Sequence, residues 1–231
     1  MKKKIAVLTG AGMSAESGIS TFRDSGGLWE QYPVEQVATP EGFAADPELV
    51  INFYNQRRKE LLNTKPNQGH IGLAEMEKEF DMNIITQNID NLHERAGSKN
   101  VIHLHGELMK VRSTRYPEII YELSPEHPEI KLGDLCEEGF QLRPHIVWFG
   151  EAVPMINKAA KIANEADIFV IIGTSMNVYP AAGLLNYVNE NTPVYLIDPK
   201  EVKTNRRNIN IIKLGASEGV KELRRVLSEK E

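Results

Sequence analysis

The sequence predicts an α/β fold, a Rossmann-like parallel sheet with helices on both faces, plus a small lobe formed by two insertions. Three observations predict it. Short apolar runs bounded by turn residues recur at 5–8, 83–86, 101–103, 145–148, 168–172, 194–197 and 209–213. Most lack the alternation of a half-solvated sheet, as strands buried on both faces do. Helical patterns at 69–80, 155–165, 183–190 and 217–227 fall between several of these runs, the order of strand–helix–strand units. Two stretches then break the rhythm. Residues 25–65 carry their own helix at 46–62, and residues 107–143 are rich in Glu, Pro and Gly. The Rossmann-like domain is therefore expected over 1–24, 66–106 and 144–231, and the small lobe over 25–65 and 107–143.

Taken in order, the first run opens VLTGAGMSAESGISTFR at 7–23. Gly10, Ala11 and Gly12 follow a strand and start a helix, where backbone N–H groups can approach a pyrophosphate. Gly18 comes three residues too late for G-x-G-x-x-G, and Ser14, Glu16, Ser17 and Arg23 add polar chemistry that a plain strand–helix turn does not need, with Phe22 placed to wall off a reactive sugar. Arg23 can pair a phosphate bidentately. The second run ends in TQNIDNLH at 86–93. Gln87, Asn88 and Asp90 then stand at the carboxyl end of a strand, where amides and a carboxylate suit ribose hydroxyls and a carboxamide. Asp90 serves equally as the cap of the next helix.

The third run, VIHLHG, sets His103 and His105 on one face, and His105, at the strand end before Gly106, is the better candidate for a general base. The fourth, HIVWFGE, reads either as a buried strand or as an edge that pairs with an extended peptide. The fifth leads into Gly173-Thr174-Ser175, a further contact for ribose or phosphate. The sixth ends at Asp198, the position where ribose hydroxyls are often held. The last run and the closing helix complete the alternation.

Bulk properties narrow the class. The 231 residues are 41% hydrophobic and 26% charged with a net charge of −5, so general attraction to nucleic acid or anionic membrane is not expected. No apolar run has the length of a membrane span. One cysteine, Cys136, excludes an internal disulfide and an all-cysteine zinc site. The expectation is a cytoplasmic protein, compatible with a monomer.

In combination, GAGMSAESGISTFR, TQNID, HLHG, HIVWFGE and GTS occur in the order that marks the sirtuins, and the chain resembles that family over nearly its whole length. The resemblance implies an NAD-dependent protein-lysine deacylase acting on acylated lysine in protein substrates. It implies that Gly10, Ala11, Gly12, Glu16, Phe22, Arg23 and Trp29, in a loop at 24–29, line the NAD site. Gln87, Asn88, Ile89 and Asp90 would hold ribose and nicotinamide. Gly173, Thr174, Ser175, Asp198 and Ala216 would contact the adenosine half. His105 is implied as general base with Asn88 as its catalytic companion, and Val147, Trp148, Phe149, Gly150 and Glu151 as a strand for the peptide. The implied chemistry joins the acyl oxygen to the ribose as nicotinamide leaves. His105 then helps a ribose hydroxyl reach the acyl carbon, and water completes the release of lysine and O-acyl-ADP-ribose.

Two details refine this. Tyr54 and Arg57 share a helical face and resemble the pair that recognises the carboxylate of succinyl- or malonyl-lysine in class III sirtuins. A carboxylate in an apolar tunnel needs such partners. As bare residues, they fit an amphipathic helix with solvated arginines. Second, the family's four zinc cysteines correspond here to Ser113, Tyr116, Gly133 and Cys136, so no metal is expected. The lobe core is expected from Tyr116, Ile119, Ile120, Tyr121, Leu123, Ile130, Leu132, Leu135 and Phe140. The rival readings are a classical NAD oxidoreductase, which the glycine spacing disfavours, a general deacetylase, and a non-catalytic NAD- or ADP-ribose-binding module.

Overall fold

A computed structural model of the chain describes residues 2–19, 32–204 and 206–229. Its elements begin with β1 (Lys4–Thr9), α1 (Ala11–Ala15), α2 (Val34–Val37), α3 (Pro40–Ala45), α4 (Pro47–Asn63) and α5 (Gln68–Met76). They continue with β2 (Asp81–Thr86), α6 (Leu92–Ala96), β3 (Val101–His103), β4 (Gly106–Ser113), β5 (Ile120–Glu122) and β6 (Leu142–Ile146). The chain closes with α7 (Ile156–Glu165), β7 (Ile168–Ile172), a 3-10 segment (Ala181–Tyr187), β8 (Val194–Ile197), β9 (Ile209–Ile212) and α8 (Ala216–Ser228).

Six strands form one parallel sheet in the order β3-β2-β1-β7-β8-β9. β7 and β8 are buried at every position and β1 at all but Lys4, because both faces of the sheet are covered. On one face α5 and α8 pack with Leu73, Met76, Val220 and Leu223 against Val7, Ile84 and Val170. On the other, α7 and the 3-10 segment cover Leu8, Ile85, Phe169 and Ile171. The order reverses between β1 and β7, so the carboxyl ends of these two neighbours open the crevice where such sheets bind ligands. α5 is held at its start by Asn67, whose side chain accepts from the backbone N–H groups of Gly69 and His70 while His70 accepts from the Asn67 N–H.

The small lobe joins α2–α4 to an antiparallel sheet of order β5-β4-β6. α4 is capped by Asp46, which accepts from Leu49 N–H, with Pro47 in the first turn. Three expectations change here. The run at 145–148 is not a strand of the parallel sheet. The strand is Leu142–Ile146, paired antiparallel with β4, and it crosses the expected boundary at 143/144. Its polar first half hid it from an apolar reading. The helix expected at 183–190 is a 3-10 segment two residues earlier. The expected lobe core is not one, since Tyr116, Ile120, Leu132, Leu135 and Phe140 are exposed and Ile130 alone of the nine is fully buried. The lobe instead packs Ile130 on Ile51 and Val111, with Phe43, Tyr121, Leu123 and Leu142 around them. So small a layer has too little area to enclose more. Among the described residues, no helix is long and apolar enough to cross a membrane.

Candidate active site

The two glycine turns of the crevice interlock. Gly10 N–H donates to Ile172 O at 3.0 Å and Gly12 N–H to Gly173 O at 2.8 Å. A Cβ at Gly12 would lie 2.7 Å from Gly173 Cα, and one at Gly173, where φ is +59°, would lie 2.4 Å from Met13 N. These glycines thus permit backbone contact between the turns, and the N–H groups of Gly10 and Gly12 are spent on that contact instead of facing a pyrophosphate. Ala11 opens α1 beside them.

A polar network lies directly beneath. Asn88 Nδ2 donates to Gly10 O at 3.0 Å and to Ser14 Oγ at 3.1 Å, and Ser14 Oγ donates to Asp90 Oδ2 at 2.9 Å. Asp90 also accepts from Leu92 N–H at 3.1 Å through Oδ1, bracing the start of α6, although the cap position of that helix is Asn91. Burial pushes the Asp90 carboxyl above the usual range, against the hydrogen bonds from Leu92 and Ser14. Gln87 Nε2 donates to Thr174 Oγ1 at 3.0 Å, bridging β2 to the turn after β7. Ser175 is exposed beside it, and Ile89 accepts from Leu108 N–H at 2.7 Å. Asp198 lies at the end of β8, its Oδ1 accepting from Lys200 N–H at 2.8 Å. Glu16 Oε1 accepts from Ser217 N–H at 3.3 Å, tying the end of α1 to the start of α8, where Ala216 is buried. Phe22, Arg23, Trp29 and the loop at 24–29 lie outside the described residues.

The two histidines are shifted in opposite directions. His103 Nδ1 meets Asn88 O at 3.1 Å and His105 Nδ1 meets Gln87 O at 3.0 Å. A carbonyl only accepts, so each Nδ1 carries a proton. His103 Nε2 also meets Glu94 Oε1, at 2.8 Å. Burial alone would lower the His103 pKa, but Glu94 outweighs it and raises it, favouring the cation. At His105 burial lowers the pKa, with only the Gln87 carbonyl opposing. The His105 ring is therefore neutral near pH 7, with its lone pair on Nε2, the form a general base requires.

The small lobe supplies a second wall. Tyr54 is buried, and its phenol oxygen accepts from Trp148 Nε1 at 3.0 Å. An indole N–H can only donate, so the phenol proton remains free for another acceptor. Trp148 is clamped in turn. The Arg143 guanidinium carbon lies 3.3 Å from its ring centroid, and Glu151 Oε2 accepts from its backbone N–H at 2.8 Å. Glu151 receives Arg143 Nη1 at 2.7 Å and Arg112 Nη2 at 3.2 Å. Burial alone would raise the Glu151 pKa, but these guanidiniums outweigh it and hold the carboxyl below its usual range. Arg57 Nη2 pairs with Glu60 Oε1 at 2.5 Å. Arg58, fully buried, donates to Leu108 O at 2.7 Å and to Asn55 Oδ1 at 2.6 Å, and desolvation pushes its pKa down to about 10.

The structure thus brings His105, Asn88, Asp90, Gln87 and Thr174 to one crevice, and Tyr54 and Trp148 into one cluster. It does not form residues 147–151 into a strand. Val147 N–H donates to His105 O, Phe149 N–H to Ala38 O and Glu151 N–H to Trp148 O, so the stretch is a turn with these donors spent and cannot add a partner strand through them. Only Phe149 and Gly150 in it are exposed, and Glu151 faces arginines. Ser14 and Glu151 were named from sequence but not as a hub and a clamp, and Arg143 and a buried pair, His70 and His93 with ring centroids 4.8 Å apart, were not singled out. Only Ser14, beside the glycines, carried a local signal. At the positions of the missing zinc cysteines, Ser113 Oγ accepts from the N–H groups of Arg115 and Tyr116, each at 3.2 Å, and lies 3.4 Å from Cys136 Sγ. Among the described residues, no group of three or more His, Cys, Asp or Glu side chains is placed to hold a metal.

Comparison with known proteins agrees with this geometry. The chain is 65% identical over 229 residues to an NAD-dependent protein deacylase of Bacteroides thetaiotaomicron, covering 97% of this chain and 98% of that protein. A solved Sir2 homolog–NAD complex superposes with a TM-score of 0.88 at 40% identity, covering 99% of this chain and 91% of the other. A solved Sir2–p53 peptide–NAD+ complex does so with a TM-score of 0.80 at 30% identity, covering 99% and 94%. The family model described as Sir2 family matches residues 10–180. With the parallel sheet, the interlocked glycine turns and the neutral His105 already in place, the match assigns the chain: it belongs to the Sir2 family.

Proposed function

We propose that this NAD-dependent protein deacylase of the Sir2 family removes succinyl and malonyl groups from lysine side chains, and acetyl groups as well. The products are free lysine, nicotinamide and O-acyl-ADP-ribose. NAD supplies the ribose carbon that takes the acyl oxygen as nicotinamide leaves. The donor set at the crevice fits that nucleotide, since Gln87, Asn88, Asp90, Thr174 and Asp198 offer the amide, hydroxyl and carboxylate groups that ribose hydroxyls and a carboxamide need. Phe22, Arg23 and Trp29 are the contacts expected from the loop beside α1. His105 withdraws a proton from a ribose hydroxyl through Nε2, its ring held in place by the Gln87 carbonyl. The exposed Phe149 and Gly150 receive the peptide. A Sir2 protein solved with a p53 peptide supports peptide substrates of this kind.

One observation carries the acyl preference. Tyr54 is buried among apolar side chains with its oxygen already accepting from Trp148, which leaves its proton for an acceptor such as an acyl carboxylate, and Arg57 follows one turn along α4. The test is NAD-dependent nicotinamide release from matched succinyl- and acetyl-lysine peptides. Arg57→Met is expected to lower succinyl turnover at least about tenfold, the cost of a lost charged hydrogen bond, while acetyl turnover is retained. A wild type with no succinyl preference, and a mutant equal to it, would leave a general deacetylase.

A further inference from the structure

This inference rests on the reading of Arg57 as the residue that meets an acyl carboxylate. On α4, Arg57 and Glu60 are one turn apart. Arg57 Nη2 donates to Glu60 Oε1 at 2.5 Å, and Gln56 Nε2 approaches the same oxygen at 3.4 Å. The two side chains are unequal in environment, with Arg57 13% exposed and Glu60 52%. The Arg57 guanidinium carbon lies 5.5 Å from the Phe53 ring centroid, and its Nε–H is buried with no acceptor among the described residues. Of the five N–H donors of this guanidinium, one on Nη2 is therefore engaged by the chain's own carboxylate, and Nε–H beside it is idle. A carboxylate binds arginine best through two parallel N–H···O bonds, and Nε with Nη2 is such a pair. A buried N–H without a partner is costly to leave unmade, so an acceptor that reaches both atoms gains more than Glu60 does at one.

We infer that Glu60 is an internal competitor for the acyl carboxylate. It occupies Nη2 of Arg57 until a succinyl or malonyl carboxylate takes Nε and Nη2 together and releases Glu60 into water. An acetyl group has no carboxylate and leaves the Arg57–Glu60 pair in place. Glu60 is thus a specificity-determining residue remote from the reacting atoms. It opposes carboxylated acyl groups in two ways, by holding the donor and by its negative charge beside the incoming one. Because its side chain is half exposed, the opposition is that of a surface pair, about two- to fivefold in affinity.

The experiment measures KM for matched succinyl- and acetyl-lysine peptides at saturating NAD, together with calorimetric binding of the succinyl peptide, in wild type, Glu60→Gln, Glu60→Ala and Arg57→Met. Both Glu60 variants are expected to lower the succinyl KM and dissociation constant about two- to fivefold and to leave the acetyl KM unchanged. In the Arg57→Met background the Glu60→Gln effect is expected to shrink to what the Glu60 charge alone contributes. A succinyl KM that does not move in either Glu60 variant, or acetyl and succinyl values that move together, would overturn the competitor role. If Arg57→Met keeps the wild-type ratio of succinyl to acetyl turnover, the reading of Arg57 fails and this inference with it. If Arg57→Met loses that ratio while the Glu60 variants change nothing, only the role of Glu60 is overturned.

Discussion

His103 and His105 sit two residues apart, each turned toward a carbonyl of the segment after β2, yet their pKa values move in opposite directions because Glu94 meets His103 while burial dominates at His105. The consequence is kinetic. His105→Ala is expected to lower deacylation by about 10²- to 10⁴-fold, the range of a lost general base, with nucleotide binding preserved; nicotinamide release and a calorimetric titration with NAD check the two halves. Near-wild-type turnover in that variant would remove His105 from the chemistry. The choice between the two rings was legible as far as the strand end and Gly106 go. The difference in shift was not, because it depends on an acid on α6 that no spacing rule links to the strand. Tyr54 is similar. Its place on an apolar helix face was readable, but the direction of its proton is set by Trp148, 94 positions away.

At the scale of elements, the turns after β1 and β7 act as one part. A methyl group at Gly173 would meet the Met13 nitrogen in a backbone conformation, φ +59°, that side chains rarely adopt. Gly173→Ala is therefore expected to cost more than about 2 kcal/mol, read as a lower urea midpoint; an unchanged midpoint would show that the two turns can separate. The glycines themselves stood out in the sequence, but as phosphate-facing donors, since the partner turn lies 160 positions on. The central strands β1, β7 and β8 were legible because near-complete burial on both faces leaves continuous apolar runs. Leu142–Ile146 was not, because Arg143, Pro144 and His145 face a small sheet and a clamp, where polarity is useful. The lobe tip misled for a related reason. Its apolar residues were read as core, whereas Ser113 gathers the backbone there by hydrogen bonds and five of those residues stay in water.

Across the whole molecule, buried neutral histidines set the response to acid. Burial lowers the pKa of His70 to about 4 and that of His93 well below its usual value, and it lowers His105 too. In each case the folded value lies below the unfolded one, near 6.5, so the unfolded chain takes up the proton first. Their stabilisation is complete above about pH 6.5 and is lost as pH falls, for His70 down to about 4. That is on the order of 3 kcal/mol from this group alone. Asp90 has the opposite sign, because its raised folded pKa favours the native state as acid protonates it. Urea unfolding between about pH 7 and 5 is expected to show stability falling with pH, with a shallower slope in His70→Gln; equal slopes would remove His70 as the cause. The alternation of strands and helices announced the architecture, but the reversal of strand order that locates the crevice belongs to pairing between distant segments.

The backbone bond from Val147 to the carbonyl of His105, 2.9 Å long, would give the proposed peptide contact and the proposed general base a common mechanical base. A polypeptide that presses on the 147–151 turn presses on the imidazole's own residue, and by reciprocity a well-placed imidazole favours the turn that fits the polypeptide. Good and poor protein targets are then told apart in the rate of the committed complex as well as in how readily it forms.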